Sequence, residues 1–251
     1  MQYGVCPLSI VPVRALANDR SEMVTQLLYG DAFEVISKQK NWLYICIAFD
    51  KYEGWIDAKQ AFSIEEKLFK EIQENSFYCS LDLIEFVSTA NQELIPISMG
   101  SNLVSTGFLK HQFDGHFSKI SFFQKEKIAE IAVFYLNAPY LWGGKTPFGI
   151  DCSGFTQMVY RICGFALQRD ASQQAKQGEP LSFIEESEPG DLAFFDNEEG
   201  EITHVGIVLA DNYIIHAHGK VRIDRLDHTG IFNTTSKNYS HNLRVIKSIS
   251  S

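Results

Sequence analysis

The run Pro139-Tyr140-Leu141-Trp142-Gly143-Gly144, followed by Asp151-Cys152-Ser153-Gly154-Phe155 and continuing to Cys163-Gly164, sets the reading of this chain. A glycine-rich loop feeds straight into a helix that has a cysteine at its start. Phe155, Val159 and Ile162 recur at three- and four-residue spacing, as a buried helical stripe requires, and Gly164 is a natural C-terminal stop. A free thiol has a pKa of about 8.5, and the thiolate is the nucleophile. A helix N-terminus stabilises that anion, and its free N–H groups can hold an oxyanion. Cys152 is therefore a candidate nucleophile, with a pKa expected to be lowered by the helix.

A cysteine nucleophile needs a base within hydrogen-bond reach and a third polar group to orient the base. His204 opens the apolar run Val205–Leu209, and His216 lies inside the apolar run Tyr213–Ala217, where a polar ring needs a partner. Strand parity tests the pair. If Asp211 centres an odd-length turn, paired residue numbers sum to an even value and the two rings share a face. A two-residue turn at Asp211-Asn212 would put them on opposite faces. In the permissive register His218 lies level with His204 and rivals His216 as the orienting group. The reading also requires that the sulfur is not buried and that one of these rings is in reach.

Outward from this centre, Gln124–Asn137 reads as an amphipathic helix through Ile128, Ile131, Ala132 and Tyr135. A short helix is expected near Ser172–Gln177 and a turn at Glu188-Pro189-Gly190-Asp191. Leu192–Phe195, His204–Leu209, Tyr213–Ala217, Lys220–Leu226 and Leu243–Ile246 read as strands. Helices followed by a mostly antiparallel sheet make residues 121–251 an α+β domain. Residues 1–60 read as short strands at Ser9–Val13, Ala32–Ser37 and Asn41–Ala48, with turn chemistry at Tyr29-Gly30-Asp31 and Asp50–Gly54. Across 61–120 a helix is expected at Ile64–Glu74, and strands at Leu94–Met99 and Asn102–Leu109.

The 251 residues carry a formal net charge of −9, which argues against a nucleic-acid surface and against docking on anionic lipid. No apolar stretch approaches the length of a membrane span. Cys6, Cys46, Cys79, Cys152 and Cys163 are odd in number and scattered, which fits reduced thiols; with no Cys-x-x-Cys pair, no structural zinc is expected. Met1–Cys6 shows no basic region followed by an apolar core. The expectation is a cytoplasmic protein, or an extracytoplasmic one had a signal been removed. Lys125-Glu126-Lys127 and Glu185-Glu186 read as solvated charges, and Lys220, Arg222 and Arg225 as exposed strand positions.

Six motifs arrive in order over residues 125–225: Pro139–Gly144, Asp151–Phe155, Arg169-Asp170-Ala171-Ser172-Gln173-Gln174, Pro189-Gly190-Asp191-Leu192-Ala193-Phe194-Phe195, His204-Val205-Gly206-Ile207 and Ile215-His216-Ala217. In these the C-terminal half resembles the NlpC-type, papain-like cysteine peptidases of cell walls. Gln26–Asp31, Trp42-Leu43-Tyr44 and Gly54-Trp55-Ile56-Asp57 resemble bacterial SH3-type domains. The resemblance implies a papain-like α+β catalytic domain with an antiparallel sheet over 121–251, behind an SH3-type barrel over 1–60 and a second, degenerate one over 61–120.

It also implies roles. Cys152 would be the nucleophile, His204 the base and His216 its orienting group, with the Tyr140 hydroxyl at the oxyanion site. Trp142, Asp151, Ser153 and Asp170 would meet substrate. Family substrates are peptidoglycan stem peptides cut at the γ-D-glutamyl–diamino acid bond, without metal or organic cofactor. A subgroup with SH3-type domains in front recycles small muropeptides and recognises a free N-terminal L-alanine. Glu22 and Tyr52, with Asp151 or Asp170, are the candidates for holding that ammonium. Three alternatives stay open: a hydrolase of intact wall, a wall-peptide-binding module without activity, and an acyltransferase or amidase on the same scaffold. The oligomeric state is not readable, nor is diaminopimelate against lysine.

Overall fold

In Trp42–Ile47 alternate residues are apolar, and alternate residues are buried: Leu43, Ile45 and Ile47 point inward. Ile10–Arg14 does the same with Val11 and Val13. With Cys6, Leu27, Phe33 and Ile56 they form one core. The computed structural model describes residues 2–74 and 77–249, in two compact units, Met1–Ser121 and Phe122–Ser251. The first unit holds an antiparallel sheet in the order Met23–Leu28, Ile10–Arg14, Glu53–Asp57, Trp42–Ile47, Ala32–Gln39, Tyr3–Val5, Phe62–Ile64. The first six of these strands are the small all-β fold expected of residues 1–60.

Packing continues past residue 60. Phe62–Ile64 pairs with Tyr3–Val5, the Asn102 N–H donates to the Tyr29 carbonyl at 2.9 Å, and Tyr29 packs with Val87, Ile97 and Leu103. Ile84–Ser88, Leu94–Ser98 and Gln112–Phe113 form a three-stranded sheet, and Phe77–Ser80 pairs with Phe117–Ile120. The helix expected from Ile64 is present as Glu66–Glu74. Asn102–Leu109 is not a strand. Asn102 caps a 3-10 turn at Leu103–Ser105 by accepting from the Val104 N–H, and Thr106–Leu109 follows as one α-turn. Leu103 and Leu109 face one apolar cluster while Val104 and Phe108 face another, a spacing that suits a helical turn.

In the second unit six antiparallel strands run consecutively: Leu192–Asp196, Ile202–Leu209, Tyr213–His218, Lys220–Leu226, Gly230–Asn233 and Asn238–Ser248. The last pairs with both the first and the fifth, so the sheet closes on itself. The helix Cys152–Ile162 packs on Ile202–Leu209, on Tyr213–His218 and on the helix Ile128–Phe134. It is buried on every side, not on the expected stripe alone, because it has neighbours all round. Ile128–Phe134 is shorter than expected: Asn137 takes a left-handed φ of 70° and sends its N–H to the Val221 carbonyl. The short helix runs Ala171–Gln174.

Candidate active site

Asp151 builds the entrance to the helix. Its carboxylate caps the first turn by accepting from the Gly154 N–H at 2.6 Å, and it accepts from the Gly143 N–H of the preceding loop at 2.8 Å. Arg169 closes the arrangement with a two-armed pair, Nη1 to Oδ1 at 3.0 Å and Nη2 to Oδ2 at 2.6 Å, and also donates to Ser153 Oγ at 2.9 Å. A side chain at Gly154 would collide with the Gly144 carbonyl, so glycine is what lets loop and helix start touch. Gln174 donates to the Ser153 carbonyl at 3.0 Å and accepts from Thr156 Oγ1 at 2.7 Å, tying the short helix to the cysteine turn.

Cys152 retains 6% exposure, so the sulfur lies under cover, against the expectation of an open one. The helix start does not win for its ionisation. Burial, then the Asp151 charge, pushes the thiol up to about 12, although the Val205 and Ser153 N–H groups and Arg169 favour the anion. The Val205 N–H hydrogen bond to the sulfur places the thiol beside the residue that follows His204. Tyr140, too, is pushed up to about 12, by burial and then by Cys152 and Asp151, so its hydroxyl stays a donor near the sulfur. Tyr140 hangs from a bridge to Ile150 and its own N–H donates to the Gly219 carbonyl at 3.0 Å.

The strand parity is the permissive one. Leu209 pairs with Tyr213 and Gly206 with His216, leaving Ala210-Asp211-Asn212 as a three-residue turn centred on Asp211. Asp211 and Asn212 both take left-handed φ, near 58° and 60°, which their short polar side chains tolerate. His204 and His216 therefore share a face, and His204 Nε2 lies 2.8 Å from His216 Nδ1. A side chain at Gly206 would sit 2.9 Å from the His216 Cβ. His218 is exposed, with its ring 6.5 Å from that of His204, so the hydrogen bond goes to His216. Burial, then the neighbouring imidazoles His216, His241 and His218, holds His204 well below the usual histidine pKa, so the ring is neutral.

Behind His216 stand Asp224, which the sequence reading passed over, and Arg222, which it expected as an exposed strand position. His216 Nε2 lies 3.0 Å from Asp224 Oδ2, and Arg222 donates to both oxygens of that carboxylate, from Nε at 2.6 Å and from Nη2 at 2.9 Å. Burial alone would raise Asp224, but hydrogen bonds from His216 and Arg222 outweigh it and hold the carboxyl below its usual range. Arg222 is thus occupied within the fold. Arg225 covers the Tyr213 ring at 4.0 Å and Lys220 donates to Asn137 Oδ1 at 2.7 Å. Parity could have found Asp224: His218 pairs with Lys220 across Gly219, so 216, 222 and 224 share a face.

His241, from the last strand, stacks on His204 with centroids 4.0 Å apart and planes at 19°. No sequence signal marks it, since it reaches the site only because the sheet closes. His204, His216 and His241 offer ring nitrogens within 4.8 Å of one another, a spacing that a metal could use. The near-parallel stack aims the in-plane lone pairs of His204 and His241 along separate planes, and His204 already shares a hydrogen bond with His216. The cluster is built as a hydrogen-bonded network, not as three ligands converging on one point.

The other expected contact residues lie as follows. Trp142 is exposed on the loop before the cysteine, Ser153 is buried against Arg169, and Asp170 caps the short helix with its backbone N–H held by Gln173 Oε1 at 3.1 Å. Glu22 and Tyr52 belong to the first unit. Glu22 is exposed just ahead of Met23–Leu28, while Tyr52 is half-buried against the barrel core. All five cysteines are free, and no helix among the described residues is long and apolar enough to cross a membrane.

Residues 137–239 match the NlpC/P60 family, and residues 13–60 match the bacterial dipeptidyl-peptidase SH3 domain. The chain is similar to a γ-D-glutamyl-L-lysine dipeptidyl-peptidase of Bacillus subtilis, 28% identical over 216 residues that cover 77% of this chain and 71% of that one. It is similar to dipeptidyl-peptidase 6 of Lysinibacillus sphaericus, 26% identical over 242 residues, covering 82% and 85%. An NlpC/P60 family protein from Bacillus cereus shares its fold, with a TM-score of 0.78 over 98% of this chain and 99% of that one at 18% identity. With the cysteine and histidine side chains set as described, the chain is a cysteine peptidase that carries an NlpC/P60-family domain behind a bacterial SH3-type domain.

Proposed function

We propose that this enzyme is a peptidoglycan-peptide endopeptidase that cuts the γ-D-glutamyl–diamino acid bond of short stem peptides with a free N-terminal L-alanine, releasing L-Ala-D-Glu. One observation carries the reading: a thiol at a helix start takes a hydrogen bond from the Val205 N–H, and the residue just before Val205 is His204, whose neutral imidazole is hydrogen-bonded to a second one. The name of the Bacillus subtilis relative, a γ-D-glutamyl-L-lysine dipeptidyl-peptidase, supports the bond class.

Burial disfavours both the free thiolate and the imidazolium, so proton transfer accompanies attack. The Cys152 proton passes to His204 as the sulfur bonds to the γ-carbonyl carbon of D-glutamate. The Cys152 N–H and the Tyr140 hydroxyl donate to the oxyanion. His204 then gives the proton to the departing amine of the diamino acid, and the C–N bond breaks. A water attacks the thioester, His204 takes its proton, and the proton returns to sulfur as L-Ala-D-Glu leaves. His216 orients the base throughout.

Trp142, Ser153 and Asp170 are assigned to substrate binding, and Glu22 with Tyr52 to the alanine ammonium. Both oxygens of Asp151 are engaged by Arg169, so a substrate contact there would add to an existing clamp. Recycling of such peptides carries with it a cytoplasmic location, which cell fractionation reads directly. The deciding assay is mass spectrometry of products from L-Ala-γ-D-Glu-diaminopimelate and L-Ala-γ-D-Glu-L-Lys, each beside its N-acetylated form. The free peptides are expected to yield L-Ala-D-Glu and the acetylated ones to resist, with Cys152→Ala inactive. Equal cleavage of acetylated peptides would remove the N-terminal recognition. Equal release from whole sacculi would favour a wall hydrolase.

A further inference from the structure

We infer that Asp224, held by Arg222, is a positioning residue that fixes the tautomer of His216 and, through it, leaves the lone pair of His204 on the ring nitrogen not engaged by His216. The inference rests on reading Cys152 and His204 as nucleophile and base. A carboxylate is an acceptor only, and Asp224 takes two donors from Arg222. At 3.0 Å His216 Nε2 must therefore carry a proton towards Asp224. A neutral imidazole has one N–H, so His216 Nδ1 is an acceptor. The 2.8 Å contact then requires His204 to donate from Nε2, which leaves His204 Nδ1 bare. That nitrogen can take the thiol proton. The opposite tautomer would carry its N–H on that nitrogen, which could then not act as a base.

The placement is built into the sheet. Lys220–Leu226 pairs with Tyr213–His218 so that Asp224 lies two residues beyond the direct partner of His216, Arg222, on the same face. Asp224 is 2% exposed, so its charge acts through little water. His216 is faced by His204, His218 and His241, by Asp224 and by Arg222. When His204 becomes the imidazolium, its Nε2–H donates to His216 and the His216 Nε2–H donates to the carboxylate. No proton need travel beyond His204, and the one negative charge in the group steadies the cation.

Histidine-labelled enzyme examined by two-bond nitrogen–proton NMR tests this directly, and the result does not depend on turnover. The wild type is expected to show Nε2-protonated His204 and His216, and Asp224→Ala a mixture. Nδ1-protonated His204 in the wild type would overturn the inference. With the tripeptide as substrate, Asp224→Ala should lower kcat about 100-fold and move KM by less than about twofold. The acid limb of the rate profile should shift down in pH in Asp224→Asn, which removes the anion, and up in Arg222→Gln, which unmasks it. A merely structural role would not move the limb in opposite directions, and limbs that both stay put would sink the idea even if Asp224→Ala fails to fold. A wild type that cleaves neither peptide would defeat the functional reading while leaving the tautomer result standing.

Discussion

Asp151 shows how much one side chain can hold at this site. It caps the helix, fixes the Gly143 loop and pairs with Arg169, whose side chain is 1% exposed. Removing it strands a guanidinium in the interior, and broken buried pairs cost about 3–5 kcal/mol. Asp151→Ala is expected to lose that much stability in urea denaturation, and Arg169→Met in the same chain to restore part of it. A loss under about 1 kcal/mol would show that water or a neighbour takes over the charge. The sequence placed Asp151 beside Cys152 but gave no reason to give Arg169 the partner's role, because the two lie 18 residues apart and meet only through the turn of the short helix.

At the scale of elements, the pairing of Ile202–Leu209 with Tyr213–His218 decides whether the two imidazoles meet. Three turn residues put His204 and His216 on one face; two would send one ring to the other side. Deleting Asp211 is therefore expected to lower kcat at least about 1,000-fold while circular dichroism still reports a folded sheet. An Asp211-deleted protein that keeps most of its activity would show that the histidine pair is not what orients the chemistry. The same parity argument was legible in the sequence as an either-or, since the polar Asp211-Asn212 pair suits either turn length. The sequence was less use for Asn102–Leu109, where apolar residues fit a strand or a helical turn and the Asn102 cap decided.

For the whole molecule, the buried imidazoles couple folding to pH. Burial lowers His204 and His216 below the ordinary histidine pKa of 6.5. The unfolded chain then binds protons that the folded one refuses as pH falls below 6.5. Their stabilising contribution is complete above that value and is lost on acidification, at up to about 1.4 kcal/mol per pH unit for each group. Denaturation free energies measured from pH 7.5 to pH 5 should fall, and His216→Gln should flatten the slope. A wild-type curve that is level across this range would mean the rings are hydrated when folded.

The sequence alone determined the order of the cysteine and histidine motifs, the α+β class and the all-β front region, because helix caps, strand alternation and turn chemistry are local properties of neighbouring residues. Only the tertiary structure decided that the thiol is covered and that His241 stacks on His204. The first depends on what packs over the helix start, and the second on a sheet that closes strand upon strand, bringing together residues whose separation along the chain carries no local signature.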